Sequence, residues 1–209
     1  RMLGTRNSFF IGIVSTLLAT ALGTVAALGL SRPHMPFKAV IMAVLISPMI
    51  VPLIITAAGM FFFYSKIGLT HTYLGLILAH TALGTPFVVI TVTATLTGFD
   101  TNLIRASQSL GADTMRTFFK VIMPLILPGV ISGGLFAFIT SFDEVVVVMF
   151  VGSVEQITIP KQMWAGLRQE TSPVILCMAT CLVALSIALL TTVEMLRRRS
   201  ERLRGIKQR

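Results

Sequence analysis

Five long apolar stretches divide the sequence, covering residues 9–30, 39–63, 72–97, 123–149 and 174–196. Each is long enough to cross a bilayer as an α-helix, which needs about 20 largely apolar residues. The first three stretches contain no Asp, Glu, Lys or Arg. The pattern therefore predicts an all-α polytopic membrane helix bundle with five spans, forming one transmembrane domain over residues 1–209.

Composition excludes an ordinary soluble domain. Charged residues make up 12% of the 209 residues and hydrophobic residues 55%, with a mean hydropathy of +0.88. The net charge of +9 could indicate nucleic acid binding, but the basic residues lie in short gaps between apolar stretches. We therefore expect no nucleic acid partner, and lipid as the main solvent. Cys177 and Cys181 lie within one stretch and form no disulfide framework.

The distribution of basic residues predicts the orientation, because Lys and Arg accumulate on the cytoplasmic side of a membrane. One set of alternate gaps, with the basic tail at residues 197–209, holds twelve Lys and Arg residues, and the other set holds five. We expect a cytoplasmic C-terminus in a bacterial inner membrane. The first stretch has nearly equal numbers of basic residues before and after it, so this local charge difference alone would not place the N-terminus outside. A sixth span upstream of residue 1 would do so, and the sequence therefore favours one. A five-span protein is the alternative.

Small residues and prolines indicate how the helices pack. Small residues recur every fourth position at Ala19, Gly23 and Ala27, and again at Gly129 and Gly133, a spacing that lets helix backbones approach closely. Pro48 and Pro52 fall inside the second stretch, where each removes a backbone donor. They predict either a broken helix lining a cavity or a simple kink.

The longest predicted cytoplasmic interruption is residues 98–122, and its pattern is helical. Asp100 or Thr101 can cap a first short helix, and Gly111 can end it in the left-handed conformation. Asp113 or Thr114 can cap a second short helix that runs toward Pro124. The first helix has an apolar face formed by Leu103, Ala106 and Leu110. That face must lie on the membrane surface or dock into a partner.

This interruption resembles the coupling loop of bacterial ABC importer permeases. The matching residues are Arg105-Ala106-Ser107, then Gly111, Val121 and Met123-Pro124, against Glu-Ala-Ala, Gly, Ile and Leu-Pro in the family. The resemblance implies that residues 98–122 dock on an ATP-hydrolysing subunit. The residues that it assigns to this coupling are Arg105, Ala106, Ser107, Leu110, Gly111 and Pro124. Arg105 departs from the family pattern, which places an acid there: either it meets a carboxylate or carbonyl on the ATPase, or it is solvated beside the lipid headgroups.

Two further segments, residues 141–147 and 159–168, are similar to the spermidine/putrescine permease subfamily. The resemblance implies a type I ABC importer transmembrane domain, usually of six helices. It implies four kinds of partner: a second permease subunit, two ATP-binding subunits, a periplasmic substrate-binding protein and membrane lipid. ATP and Mg would bind to the ATPase, with no cofactor and no catalytic residues in this chain.

Asp143 and Glu144 are the candidate substrate pathway, since acids within a span commonly mark substrate or ion routes. A negative site would suit a small cationic solute such as a polyamine; opines and amino-acid-like amines also fit. Adjacent residues on a helix point about 100° apart, so we expect one acid to face the pathway and the other to pair with a neighbouring helix or interfacial water. Alternatively, both acids reach the outer headgroup region, because the span could end at Phe142. A different class of protein, an ion-gradient-driven secondary transporter or channel, should show paired interrupted helices. The sequence has one clear proline-broken stretch and no P-loop motif.

Overall fold

A computed structural model describes residues 2–32, 35–100, 102–169 and 173–203. Every regular element in these ranges is helical. In chain order they are α1 (Met2–Leu30), α2 (Lys38–Ile50), α3 (Leu53–Lys66), α4 (Tyr73–Thr97), α5 (Asn102–Ser109), α6 (Thr114–Thr117), a π-helical segment (Phe118–Ile122), α7 (Met123–Asp143), α8 (Val146–Val151), α9 (Ile159–Gln169) and α10 (Pro173–Leu203). The all-α prediction is confirmed.

Four of the described helices are long and apolar enough to span a bilayer, and a bent pair supplies the fifth apolar stretch. The pair is α2 and α3, whose axes meet at 106°. Val51 is extended at the break, and Pro52 stands at the cap of α3. A residue before proline avoids the helical conformation, which explains why the helix stops here. The second stretch is therefore a broken helix and not a simple kink.

The core of the bundle is the packing of α1, α4 and α7 against one another. Small residues make the close approach possible. A Cβ added to Gly84 of α4 would lie 2.9 Å from the Cβ of Ala137 in α7, and one added to Gly133 would lie 2.8 Å from the Cα of Val88. Ala19 of α1 is fully buried at the same junction. The predicted small-residue faces therefore lie at real helix contacts.

The fourth span differs from the prediction at both ends. It begins at Thr114, because α6, the π-helical segment and α7 follow one another without interruption, and it ends at Asp143 instead of Met149. Glu144 is extended (φ −72°, ψ 122°), and a separate short helix, α8, contains the remaining apolar residues. Hydropathy did not reveal this break, because residues on both sides of the acids are apolar.

Candidate functional site

The turn between α5 and α6 has the predicted conformation. The backbone N–H of Asn102 donates to Asp100 Oδ1 at 2.9 Å, while Thr101 lies outside the described residues. Gly111 has φ +80°, in the left-handed region that glycine adopts without strain. Asp113 caps α6 by accepting the N–H of Arg116 at 2.7 Å. Residues 98–122 therefore form a helix, a glycine turn and the start of a second helix.

The two faces of α5 have different surroundings. Leu103, Ala106 and Leu110 are exposed, with Leu110 at 88%. On the inner side, Ser107 Oγ lies 3.0 Å from Thr117 Oγ1, which joins α5 to α6. The exposed apolar face is the one that the sequence predicted. Within the described chain, these side chains remain open to a partner.

The second short helix does not stand alone, which corrects the sequence interpretation. Thr114–Thr117 passes through Phe118–Ile122 into α7, and Pro124 lies in the first turn of α7. Because proline has no backbone N–H, Pro124 cannot donate to the preceding turn, and this turn is the π-helical segment. The helix continues past Pro124 and joins the glycine turn to the acidic residue at position 143. We call the end of the bundle with residues 98–122 the coupling end.

Arg105 lies on α5 with an exposed side chain, and its carbonyl accepts the hydroxyl of Ser109 at 2.9 Å. Behind α5 there is a cavity of about 430 Å³ between α5, α6 and the ends of α1 and α4. Its lining is largely apolar and includes Leu28, Leu96 and Ile104. The cavity separates much of α5 from the bundle, so α5 is held through its contacts with α6 and the π-helical segment.

The two acids lie at the opposite end of α7, which we call the acidic end. Asp143 is the last residue of α7 and is exposed. Glu144 is only 6% exposed, and its Oε1 accepts the N–H of Val147 at 2.9 Å. Glu144 therefore caps α8, and the expectation that both acids project from one helix is wrong. With 1.5 Å per residue, about 30 Å separates them from Met123.

Asn7 organises the acidic end, and sequence reasoning missed it. Its Nδ2 donates to the carbonyls of Glu155 and Ile157, both at 3.1 Å. Its Oδ1 accepts the hydroxyl of Tyr73 at 3.1 Å. One side chain thus joins the start of α1, the start of α4 and the segment before α9. No sequence signal marks it, because its partners are more than 60 residues away.

Gln156 and Lys161 complete this network. Gln156 accepts the N–H of Ser153 at 2.9 Å and donates to the carbonyl of His71 at 3.0 Å. Lys161 Nζ donates to the carbonyls of Ser153 at 3.0 Å and Val148 at 3.3 Å. Partial burial lowers the pKa of Lys161 below its ordinary value. We refer to Asn7, Tyr73, Gln156 and Lys161 together as the polar network.

The sequence-predicted residues therefore form two separate groups, one at each end of α7. Among the described residues, no three His, Cys, Asp or Glu side chains are grouped to hold a metal. Cys177 and Cys181 are exposed free thiols on α10. The basic tail continues α10 to Leu203, and residues 204–209 lie outside the described ranges.

Comparison with known proteins agrees with this architecture. The family described as "Binding-protein-dependent transport system inner membrane component" matches residues 19–202. The spermidine/putrescine transport system permease protein PotC of Haemophilus influenzae (strain ATCC 51907 / DSM 11121 / KW20 / Rd) is 30% identical over 93% of this chain and 76% of its own. The putrescine transport system permease protein PotI of Escherichia coli (strain K12) is 29% identical over 84% of this chain and 65% of its own.

Solved structures show the same fold. The MetNI methionine ABC transporter in an inward-facing conformation matches with a TM-score of 0.66 and 21% identity, over 98% of this chain and 95% of that one. A bacterial ABC transporter that imports alginate matches with a TM-score of 0.72 and 15% identity, over 93% and 74%. The chain belongs to the family of binding-protein-dependent transport system inner membrane components.

Proposed function

We propose that this chain is the permease subunit of an ATP-driven importer that carries a small cationic amine, of the polyamine class, across the bacterial inner membrane. Two relatives with about 30% identity are permease proteins whose names state spermidine or putrescine transport. The exposed carboxylate of Asp143 provides a suitable charge for such a cargo. ATP hydrolysis belongs to a separate subunit, with ATP and Mg bound there.

The coupling end supports a docked ATPase. Leu103, Ala106 and Leu110 form an exposed apolar face outside the predicted spans, and exposing such side chains to water is unfavourable. An ATPase groove that covers this face would remove the penalty. Ser107 and Gly111 fix the position of the face relative to α6.

Motion at the coupling end can reach the acidic end through a continuous helix. Thr114–Asp143 begins beside the glycine turn and ends at the acid. Packed helices move as rigid bodies because close-packed contacts resist gradual deformation. When the ATPase dimer closes, displacement of α6 would therefore move the far end of α7. This is the physical basis that we propose for alternating access.

The two acids have different proposed roles, cargo contact for Asp143 and helix capping for Glu144. Glu144 is buried and caps α8, so its oxygen is already used within the chain. Asp143 is exposed at the end of a span, where it can meet a solute that enters the bundle. An ammonium group would be attracted there and an anion repelled. We therefore assign cargo contact to Asp143 and local support to Glu144.

The remaining partners follow from the same proposal. A second permease subunit would complete the pathway, two ATP-binding subunits would dock on the coupling ends, and a periplasmic binding protein would deliver cargo at the acidic end. The excess of basic residues in the tail and in alternate gaps supports a cytoplasmic C-terminus. The coupling end is then cytoplasmic, as an ATPase partner requires.

Uptake of labelled putrescine by the complete transporter in proteoliposomes tests the proposal. Asp143→Asn removes the charge with little change in shape, and we expect a loss of about tenfold or more in uptake. Glu144→Gln retains an oxygen that can cap α8 and should lose less. Glu155→Gln, which removes the charge of another exposed acid near the acidic end, is the matched control. Wild-type uptake in Asp143→Asn, with assembly and basal ATPase activity intact, would reject this role for Asp143.

A further inference from the structure

Three polar side chains from three different helices meet inside the bundle, just below the acidic end. Ser15 of α1, His80 of α4 and Ser141 of α7 are 1%, 2% and 6% exposed, respectively. Ser141 Oγ lies 2.7 Å from His80 Nδ1 and 3.0 Å from Ser15 Oγ. The surrounding helix contacts are apolar, so these three groups must satisfy one another. We call them the interhelical triad.

The direction of each hydrogen bond in the triad follows from the number of available protons. Ser15 Oγ lies 2.7 Å from the carbonyl of Ile11, one turn earlier, which is a common acceptor for a serine inside a helix, so we assign the Ser15 proton to this bond. Ser15 must then accept from Ser141, and Ser141 in turn accepts from His80. The hydrogen bonds therefore run in one direction: His80 Nδ1–H donates to Ser141, Ser141 donates to Ser15, and Ser15 donates to the carbonyl of Ile11.

This direction fixes the tautomer of His80. The proton lies on Nδ1, which leaves Nε2 as an unprotonated acceptor, and Nε2 is buried with no partner in the structure. In the opposite tautomer Ser141 would donate to Nδ1, and Nε2 would carry a buried N–H without a partner. A buried donor without a partner is rarer than an unpaired acceptor. The role of His80 in the bundle is therefore to donate one hydrogen bond, from Nδ1–H to Ser141 Oγ.

The triad acts on the part of α7 that bears the acid. Ser141 lies in the last turn of α7, two residues before Asp143, and helix ends tend to fray. Phe142 is anchored on a different face, with ring centroids 5.1 Å from Phe9 and 5.4 Å from Phe138. Hydrogen bonds through Ser141 and ring packing through Phe142 together set the rotation of this turn. Asp143 is then directed away from the packed interior.

We propose that His80 is a positioning residue that orients Asp143 for the cargo by donating from Nδ1 to Ser141. This inference rests on the proposed role of Asp143 in amine transport. His80 does not touch the cargo, because both ring nitrogens are buried in the bundle. Its effect on uptake passes through Ser141 and the last turn of α7.

The test compares two substitutions in the complete transporter. His80→Leu removes the donor, whereas His80→Asn places an amide N–H near the position of Nδ1. We expect His80→Leu to lower putrescine uptake by about tenfold, at unchanged basal ATPase activity, and His80→Asn to recover most of it. Ser141→Ala should reproduce His80→Leu. If His80→Leu does not assemble, the uptake of Ser141→Ala provides the test instead. Equal losses in His80→Leu and His80→Asn, or wild-type uptake in Ser141→Ala, would overturn the proposal.

A double-mutant cycle separates positioning from general stabilisation. If His80 acts through Asp143, adding His80→Leu to Asp143→Asn should change the residual uptake by less than about twofold. A purely structural role would lower uptake by the same factor in both backgrounds, which would refute positioning. If Asp143→Asn is inert while His80→Leu lowers uptake, the proposed role of Asp143 fails. If only Asp143→Asn lowers uptake, the positioning role fails and the cargo site stands.

Discussion

The two ends of the bundle differ in what stabilises them: internal hydrogen bonds at the acidic end, and an apolar face open to a partner at the coupling end. At the acidic end, the side chains of Asn7, Gln156 and Lys161 bond to carbonyls of distant segments, so the chain satisfies its own polar groups. At the coupling end, Leu103 and Leu110 are exposed, and a cavity lies behind α5. The acidic end is thus shaped mainly by internal contacts, whereas the coupling end has an apolar face that requires another surface. Four substitutions test this contrast.

Asn7→Leu should have the largest effect, because it breaks the polar network at its centre. The carbonyls of Glu155 and Ile157 lose their donor, and the hydroxyl of Tyr73 loses its acceptor. Leaving a buried polar group unpaired costs about 1–3 kcal/mol, and these three hydrogen bonds are only partly buried, so we expect a total stability loss of about 2–4 kcal/mol. Chemical or thermal unfolding of the purified chain in detergent measures it.

The matched control for this change is Asn102→Leu at the coupling end, where the side chain is exposed. Its unfolding free energy should stay within about 0.5 kcal/mol of wild type. Equal destabilisation by the two variants would contradict the contrast between the ends.

Leu110→Ser tests whether the exposed face of α5 serves a partner. The side chain is 88% exposed, so the isolated chain should keep its stability. Burial of a leucine in an ATPase groove contributes about 1.5–3 kcal/mol, and its loss should weaken ATPase association by about tenfold or more. Val154, which is 85% exposed near the acidic end, provides the control Val154→Ser. If both variants bind the ATPase like wild type, Leu110 is not part of the docking surface.

Gly111→Val tests the left-handed turn that positions α5. No atom would obstruct an added Cβ, so the penalty is the backbone strain at φ +80°, about 1–2 kcal/mol. We expect fewer cargo molecules transported per ATP. Gly111→Asn should retain most of the coupling, because asparagine tolerates this conformation.

Gly68→Val imposes a similar strain, at φ +70°, in the turn between α3 and α4. It should leave the ratio of transport to hydrolysis unchanged. A wild-type ratio in Gly111→Val would make Gly111 an ordinary turn residue.

Arg105→Glu should have the smallest effect. Exposed ion pairs contribute at most about 1 kcal/mol and are weakened by salt. If Arg105 meets a carboxylate on the ATPase, the substitution should lower association up to about fivefold at low salt, and less at high salt. Lys66→Glu, an exposed cation at the end of α3, serves as control. Association that is unchanged at every salt concentration would mean that Arg105 is solvated beside the lipid headgroups.

Local rules predicted the elements whose causes are local. The glycine conformation at position 111 and the Asp113 cap follow from residues within one turn of each other, and both are confirmed. The break at Pro52 follows from the steric effect of proline on the preceding residue. Hydropathy failed at Asp143 because a backbone break between two apolar segments leaves the hydropathy high on both sides.

The candidate site was predicted less completely, because its contacts depend on how the helices are rotated. The sequence predicted that Asp143 and Glu144 would have different surroundings, but not which acid is exposed and which one caps α8. No local pattern singled out Asn7 or His80 as part of a site. Their partners lie between 61 and 150 residues away, beyond the reach of any local pattern.

By itself, the sequence determined the membrane class, the spans in outline and the helix, glycine, helix pattern of the coupling end. These properties depend on hydropathy and backbone preference over one or two turns. Only the tertiary structure decided which polar groups meet, where α7 ends and which acid stays exposed. Those outcomes depend on the relative rotation and depth of α1, α4 and α7, which small residues such as Gly84 and Gly133 fix through close contacts.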